Sequence, residues 1–258
     1  MTLSSISAVI IAHNAEATLA DCLRSLERLD DVVVYENGSI DRTADIARSF
    51  ANVRLEQGEF LGFGPTKNKA TTFARNDWVL SLDSDEEVSV ELLDELATLD
   101  LGDALNLYEV LRQNFMLGKH VKHSGWGNDW LPRLYNRSMH GYNNALVHEN
   151  VIPQPGAKQQ RLIHPIRHRA VDEISQFLVK IDRYTELRVQ EGAKGYGPLT
   201  SVLKAQWAFV RSYLLRLGFL DGWRGVVIAW SDASGVFYRC MKCYARDQRA
   251  SQNWDDPS

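Results

Sequence analysis

The stretch WVLSLDSDEE, residues 78–87, runs from strand-like apolar sequence into Asp83, Ser84, Asp85, Glu86 and Glu87. In an extended chain side chains two apart point the same way, so Asp83 and Asp85 are expected side by side at a strand end. Two like charges that close disfavour each other's ionisation unless a cation is shared. A hard divalent ion such as Mg²⁺ or Mn²⁺, held by few carboxylates and completed by substrate phosphates, resolves that conflict. The competing expectation is that the acidic run only stabilises the N-terminus of a helix beginning near Val88. A second candidate region is SGWGNDWLPRLYNR, in which Trp126 and Trp130 offer flat faces for a sugar ring and Arg133 can grip phosphate with two parallel hydrogen bonds. Either tryptophan could equally belong to the core.

The elements that would position these residues follow from hydrophobic periodicity. ISAVIIAHN and DVVVYENGS read as buried strands, each ending at a polar turn. AEATLADCLRSL carries Leu19, Cys22, Leu23 and Leu26 at helical spacing. DRTADIARSF reads as a second helix with Asp41 as its capping residue. NVRLEQG, TKNKATTFARN and DWVLSLD continue the alternation as strand, helix and strand, with the glycine-rich GEFLGFGP before the helix. Strands alternating with helices at this spacing imply parallel pairing through right-handed crossovers, with ligands beyond the carboxyl ends of the strands. After the helix VSVELLDELATL the pattern loosens into a strand or hairpin, ALNLYEVLRQNFMLGKHV, and a further strand, WLPRLYNRS. Residues 152–165, with three prolines and a glycine, read as a surface connection. Helices return with EISQFLVKIDRYTELRVQEG and LTSVLKAQWAFVRSYLLRLG.

At 258 residues with 45% hydrophobic side chains the chain can bury one large α/β core and a smaller appendage. Its net charge of −4 hides an asymmetry: 13 Lys and Arg against 23 Asp and Glu up to Ala157, but 16 against 8 over residues 158–249. The later part is therefore expected to face something anionic, or to be a solvated basic face. Three cysteines make no even framework, and the single CMKC pair has no second pair to complete a zinc site, so it reads as structural. No apolar run reaches the roughly 18–20 residues of a membrane span, and the start has no basic region before its short apolar run; the cytoplasm is the expected compartment.

Four stretches in order, VIIAHNAEATLADCLRSL, VVVYENGSIDRTADIA, GPTKNKATTFARNDWVLSLDSDE and WLPRLYNR leading into NALVHENV, resemble the family 2 glycosyltransferases. In closer detail the chain is similar to bacterial lipopolysaccharide core β-1,4-glucosyltransferases, a likeness that extends to KIDRYTELR and LGFLDGWRG. The resemblance implies a GT-A-type, Rossmann-like, mostly parallel sheet flanked by helices, with a C-terminal helical extension. It places Ala12, His13 and Asn14 beside the nucleobase and ribose. Glu36 stands where the family usually has an aspartate that binds the nucleoside. Asp83 would accept hydrogen bonds from ribose or sugar hydroxyls, with Ser84 beside it, and Asp85 would bind the metal at the diphosphate. Lys67 is a candidate phosphate contact, with a surface lysine as the alternative. Glu149 matches the position of the base that takes the acceptor's proton, and His148 is a phosphate or metal contact or an alternative base. Without the upstream motifs the His148–Glu149 pair would read as an ordinary hydrogen-bonded turn.

The segment 203–246 interleaves Lys204, Arg211, Arg216, Arg224, Arg239 and Lys242 with Trp207, Phe209, Tyr213, Phe219, Trp223 and Trp230. Basic and aromatic residues mix in this way on interfacial helices, although a helix pair closing over the catalytic domain or a dimer contact would use them too. The sequence thus implies a catalytic domain over residues 1–170 and a helical extension over 171–250. The expected activity is an inverting, metal-dependent transfer of a hexose, glucose from UDP-glucose, to a lipopolysaccharide-type glycolipid at the cytoplasmic face of the inner membrane. A metal-dependent nucleotidyltransferase and a non-catalytic sugar-nucleotide-binding membrane module are the alternatives. Nucleic acid is not an expected partner, since no binding motif is present and the chain is acidic overall.

Overall fold

The computed structural model describes residues 2–145 and 149–251. Its order of elements begins β1 (Ile6–Ala12), α1 (Leu19–Arg24), β2 (Val32–Glu36), α2 (Thr43–Arg48), β3 (Val53–Gln57), α3 (Phe63–Thr71) and β4 (Trp78–Asp83). It continues with β5 (Glu86–Val88), α4 (Val90–Thr98), β6 (Asn106–Met116), β7 (Lys119–His120), β8 (Trp130–Asn136), β9 (Gly141–Tyr142) and β10 (Val151–Ile152). It ends with β11 (Lys158–Arg161), β12 (Ile166–Val171), α5 (Ser175–Gln190), α6 (Pro198–Val210) and α7 (Trp223–Ser251). Two compact units result, one of residues 1–114 with 129–170, the other of residues 115–128 with the chain from Val171 onward.

The first unit is a sheet in the order β3-β2-β1-β4-β8-β6-β12-β5. Its first four strands are parallel, and β8 reverses direction against β4 and β6. This is the α/β architecture expected from the alternation of elements, and the GT-A-type sheet that the resemblance implies. All seven residues of β1 are buried, because a parallel strand is covered on both faces. Period-two alternation divides the strand between two cores. Ile6, Ala8, Ile10 and Ala12 pack with Leu19, Leu23, Leu92 and Leu96 of α1 and α4, whereas Val9 and Ile11 pack with Ala70 of α3 and with Tyr135 and Tyr142. On β4, Leu80 and Leu82 join the first core and Val79 the second, so the same alternation sends Asp83 toward the face covered by α3.

Several local details differ from the sequence expectation. Asp41 precedes the first helical residue of α2 by two positions, yet its carboxylate accepts from the Thr43 amide at 3.0 Å and from the Glu16 amide at 3.1 Å. Residues 152–165 are more than a connection, since β11 pairs in parallel with β6. The acidic run does not cap α4. Glu86–Val88 form a strand antiparallel to β12, and Ser89 caps the helix by accepting the Leu92 amide at 3.1 Å. Helix α3 begins at Phe63, ahead of the expected threonine, because Gly62 and Gly64 carry the glycine-rich turn into it.

The second unit consists of α5, α6 and α7 with the arm of residues 115–128, whose β7 turns back on the end of β6. A π-turn at Arg211–Leu215 and a 3₁₀ turn at Gly218–Asp221 link α6 to α7. A Cβ at Gly225 would lie 1.7 Å from the Gly218 carbonyl oxygen, so only glycine permits that close approach. Asp221 ties down the arm by accepting the amides of Lys122 and His123. Cys240 and Cys243 are buried free thiols in α7, in keeping with a structural role. Among the described residues no helix is long and apolar enough to cross a membrane.

Glu95 of α4 fastens the segment before β12 by accepting the amides of Ile163 and His164 at 2.8 and 3.0 Å and facing the His164 ring at 2.9 Å. Burial pushes its carboxyl up, but these bonds outweigh burial and hold it below the ordinary glutamate range. A carboxyl depressed on folding contributes stability that is complete above its unfolded value, about 4.3, and lost as pH falls through the folded value. Glu95→Gln should therefore flatten the acid limb of the stability–pH curve below about pH 4.3, measured by urea unfolding at stepped pH.

Candidate active site

The parallel register brings Glu36 opposite Ala12 and Asp83 opposite Ile11, so three adjacent strands end together at one edge of the sheet. Just beyond β1, Asn14 adopts a left-handed backbone with φ of 49°. That turn lets its amide donate to Ser39 Oγ at 3.0 Å and its side-chain oxygen accept the Ile40 amide at 2.9 Å. His13 Nδ1 lies 3.1 Å from the Asn37 carbonyl. Glu36 is buried, and it accepts from the Ser39 amide and, at 2.9 Å, from Gln57. Burial raises its carboxyl, yet the hydrogen bonds from Ser39 and Gln57 leave it below the usual range. His13, Asn14 and Glu36 thus form one polar rim beside Ala12, whose carbonyl accepts the Asn37 amide at 3.1 Å and whose side chain lies in the core.

Asp83 meets a different environment. Lys67, on helix α3, which packs over β1 and β2, is only 3% exposed and places its Nζ 2.7 Å from Asp83 Oδ1 and 2.8 Å from Glu149 Oε1. The surface-lysine alternative is thereby replaced: this ammonium is buried between two carboxylates and lies 5.2 Å from the centre of the Tyr142 ring. Tyr142 is held in turn by its hydroxyl on Ser81 Oγ at 2.8 Å. Arg133 donates to Asp83 Oδ2 at 2.8 Å and also to Glu86, while Arg112 lies 3.4 Å from Glu86 and 3.7 Å from Asp83. Burial pushes the Asp83 carboxyl up, but Lys67, Arg133 and Arg112 overcome it and hold the group well below the ordinary aspartate range. Burial pushes the Lys67 ammonium down, but Asp83, Tyr142 and Glu149 together outweigh it and hold the group above the ordinary lysine range.

Asp83 and Asp85 do not sit as an extended strand would place them. The strand ends at Asp83, and Ser84 and Asp85 occupy a turn before β5. The like-charge conflict is relieved by Lys67, Arg112 and Arg133, and the Asp85 carboxylate faces His168 Nε2 at 3.3 Å instead.

The tautomer of His168 follows from its other partners. Asn114 Nδ2 donates to Asp129 Oδ2 at 3.2 Å, so Asn114 Oδ1 is the acceptor that faces His168 Nδ1 at 2.6 Å. Nδ1 must then carry a proton. Nε2 therefore presents Asp85 with either a second proton or a lone pair, and a lone pair facing a carboxylate asks for a shared cation. A carboxylate and an imidazole fit a divalent ion such as Mn²⁺ that takes its remaining oxygens from substrate. Among the described residues no three His, Cys, Asp or Glu side chains converge on one point, so protein groups alone would not complete such a shell. His168 carries no sequence signal of its own, because its partners Asn114 and Asp129 lie more than 35 positions upstream.

The remaining candidates divide. Trp130, on β8, has the Arg161 guanidinium 4.6 Å from its ring centre. Trp126 belongs to the second unit, where its ring lies 6.3 Å from that of Phe177. His148 lies outside the described residues. Glu86, which is fully buried and accepts the Asp83 amide at 2.9 Å, was not singled out from the sequence, although it anchors both arginines.

Fold and site together are those of an open α/β enzyme that takes its ligand beyond the carboxyl ends of its parallel strands. The chain matches the model of glycosyl transferase family 2 over residues 7–157 and belongs to that family. Among curated proteins it is similar to the lipopolysaccharide core biosynthesis glycosyltransferase LpsC of Rhizobium meliloti, 28% identical and covering 97% of this chain and 96% of the relative. It is also similar to an uncharacterized glycosyltransferase of Rickettsia bellii, 26% identical over 92% of this chain and 85% of that protein. Among solved structures, residues 1–349 of S. aureus TarS in complex with UDP align at 15% identity with a TM-score of 0.45, covering 95% of this chain and 91% of that one.

Breaking a buried ion pair by removing one partner leaves an uncompensated charge, at a cost of about 3–5 kcal/mol. Glu86→Ala should therefore destabilise the protein by about that amount in urea unfolding, whereas a loss below about 1 kcal/mol would mark the pair as surface-like.

Proposed function

We propose that the protein is an inverting, metal-dependent hexosyltransferase that moves glucose from UDP-glucose to a lipopolysaccharide-type glycolipid. The observation that carries this reading is Lys67, whose single ammonium joins Asp83, at the end of β4, to Glu149. It fixes a candidate base beside the edge of the sheet where a sugar nucleotide would lie. The rim of His13, Asn14 and Glu36 beside Ala12 would take the nucleoside, and Asp83 the ribose or sugar hydroxyls. Asp85 and His168 would hold a Mg²⁺ or Mn²⁺ ion, with Mn²⁺ favoured by the imidazole; when bound, it would supply positive charge to the departing diphosphate. Arg133 and Lys67 already pair with carboxylates, so their task is to hold Asp83 and Glu149 in position.

In the transfer, Glu149 accepts the proton of the acceptor hydroxyl as that oxygen forms a bond to the anomeric carbon. The bond from that carbon to the diphosphate oxygen breaks on the opposite face, and its electron pair leaves with UDP. Attack opposite the leaving group inverts the anomeric centre. The glycolipid acceptor is supported by the likeness to LpsC, which its name assigns to lipopolysaccharide core biosynthesis.

Purified protein should gain thermal stability with one nucleotide sugar, UDP-glucose, only when Mn²⁺ is present, and should slowly release UDP from it. Release of pyrophosphate from a nucleoside triphosphate would instead indicate a nucleotidyltransferase, and no response to any donor a non-catalytic module. Glu149→Gln and Asp85→Ala should each lower kcat by about 10²–10⁴-fold with the fold retained by circular dichroism. Undiminished turnover in both variants would refute the mechanism.

A further inference from the structure

Between Lys194 and Trp230 the chain has five basic residues, Lys194, Lys204, Arg211, Arg216 and Arg224, and a single acidic one, Asp221. That carboxylate is already engaged by the Lys122 and His123 amides and by the His123 ring at 3.1 Å. The same segment leaves large apolar side chains in solvent. Leu199, Leu203 and Trp207 recur every fourth residue along one face of α6 and are 75%, 57% and 58% exposed. Leu215 in the π-turn is 62% exposed, and Trp223 and Trp230, two turns apart on α7, are 49% and 67% exposed.

Ring contacts join the C-terminal end of α6 to the turns and to α7. Phe209 lies 6.0 Å from Trp230 and 5.5 Å from Tyr213, which lies 6.2 Å from Phe219. A soluble surface scatters such residues singly; a continuous apolar patch bordered by one sign of charge marks a contact surface.

We infer that this face of α6, the two turns and the start of α7 docks on an anionic lipid surface, with the leucines and tryptophans entering the headgroup boundary and the basic residues meeting acidic headgroups. Charge selects this occupant over a second copy of the chain. A two-fold contact would lay the patch on itself and oppose cation to cation, whereas a leaflet carrying acidic lipid complements every exposed charge in the segment. Tryptophan beside leucine and arginine is also the composition that favours the interface plane over the bilayer centre. The inference rests on the proposed glycolipid acceptor only for the purpose of the surface; the surface itself is read from α6 and α7.

The test is co-sedimentation of the full chain with phosphatidylcholine vesicles and with phosphatidylcholine–phosphatidylglycerol vesicles, alongside UDP release in the absence of lipid. The protein should partition to the phosphatidylglycerol vesicles and be released by high salt. The Trp207→Ser/Trp223→Ser/Trp230→Ser and Lys204→Glu/Arg211→Glu variants should each partition about tenfold less while releasing UDP at the parent rate. Three results would overturn the inference: no binding to either vesicle, binding undiminished in both variants, or light scattering showing a dimer that the tryptophan variant converts to monomer. None of these bears on UDP release, so failure of the surface and failure of the proposed chemistry are read separately.

Discussion

The ammonium of Lys67, buried and shared by Asp83 and Glu149, is the contact on which the rest of the site depends. A buried carboxylate needs a paired charge and satisfied hydrogen bonds, or it protonates or destabilises the fold. Glu86 is fully buried and Asp83 and Glu149 are partly so, and Lys67, Arg112 and Arg133 meet these three carboxylates. The alternation of β4 directs Asp83 to the α3 face, and Lys67 stands on that face. Gly64, one turn earlier, permits the next close approach: a Cβ there would lie 2.0 Å from the Asn143 carbonyl oxygen, and the Gly64 amide donates to Ala145 at 3.2 Å. Asn143 and Ala145 are thus held against the helix that carries Lys67.

A second chain of contacts extends the order outward. Arg112 bonds Asp129 at 2.8 Å, Asp129 accepts from Asn114, Asn114 orients His168, and His168 faces Asp85. Each link fixes the donor or acceptor sense of the next, and this fixes a proton on His168 Nδ1. Because Arg112 also reaches Glu86 and Asp83, the two aspartates of the motif are connected through the protein while having different neighbours. One is surrounded by fixed cations; the other looks toward a nitrogen that can share one.

Much of this was legible in the sequence for a physical reason. Buried parallel strands write themselves as apolar runs that stop at polar turns, so β1, β2 and β4 and the edge they share could be read directly, and the order of motifs led to family 2. The separation of Asp83 from Asp85 could not be read, because strand alternation assumes that the strand continues and here a turn intervenes. The burial of Lys67 was equally hidden. Lysine is ordinarily a surface residue, and only the carboxylates of Asp83 and Glu149, 16 and 82 positions away, make its burial tolerable. Glu86 looked like one more acid in a run, yet its place in a strand paired with β12 turns it inward. The basic and aromatic character of the last third was plain, but the sequence did not show which of its aromatic residues face solvent.

The most direct test of the division between Asp83 and Asp85 is pulsed electron paramagnetic resonance of Mn²⁺ bound with UDP to the full chain. If Asp85 and His168 hold the ion, the spectrum contains an imidazole nitrogen coupling that disappears in His168→Ala and persists in Asp83→Asn. A Mn²⁺ complex with no nitrogen coupling, or one lost on Asp83→Asn and retained in His168→Ala, would contradict that division.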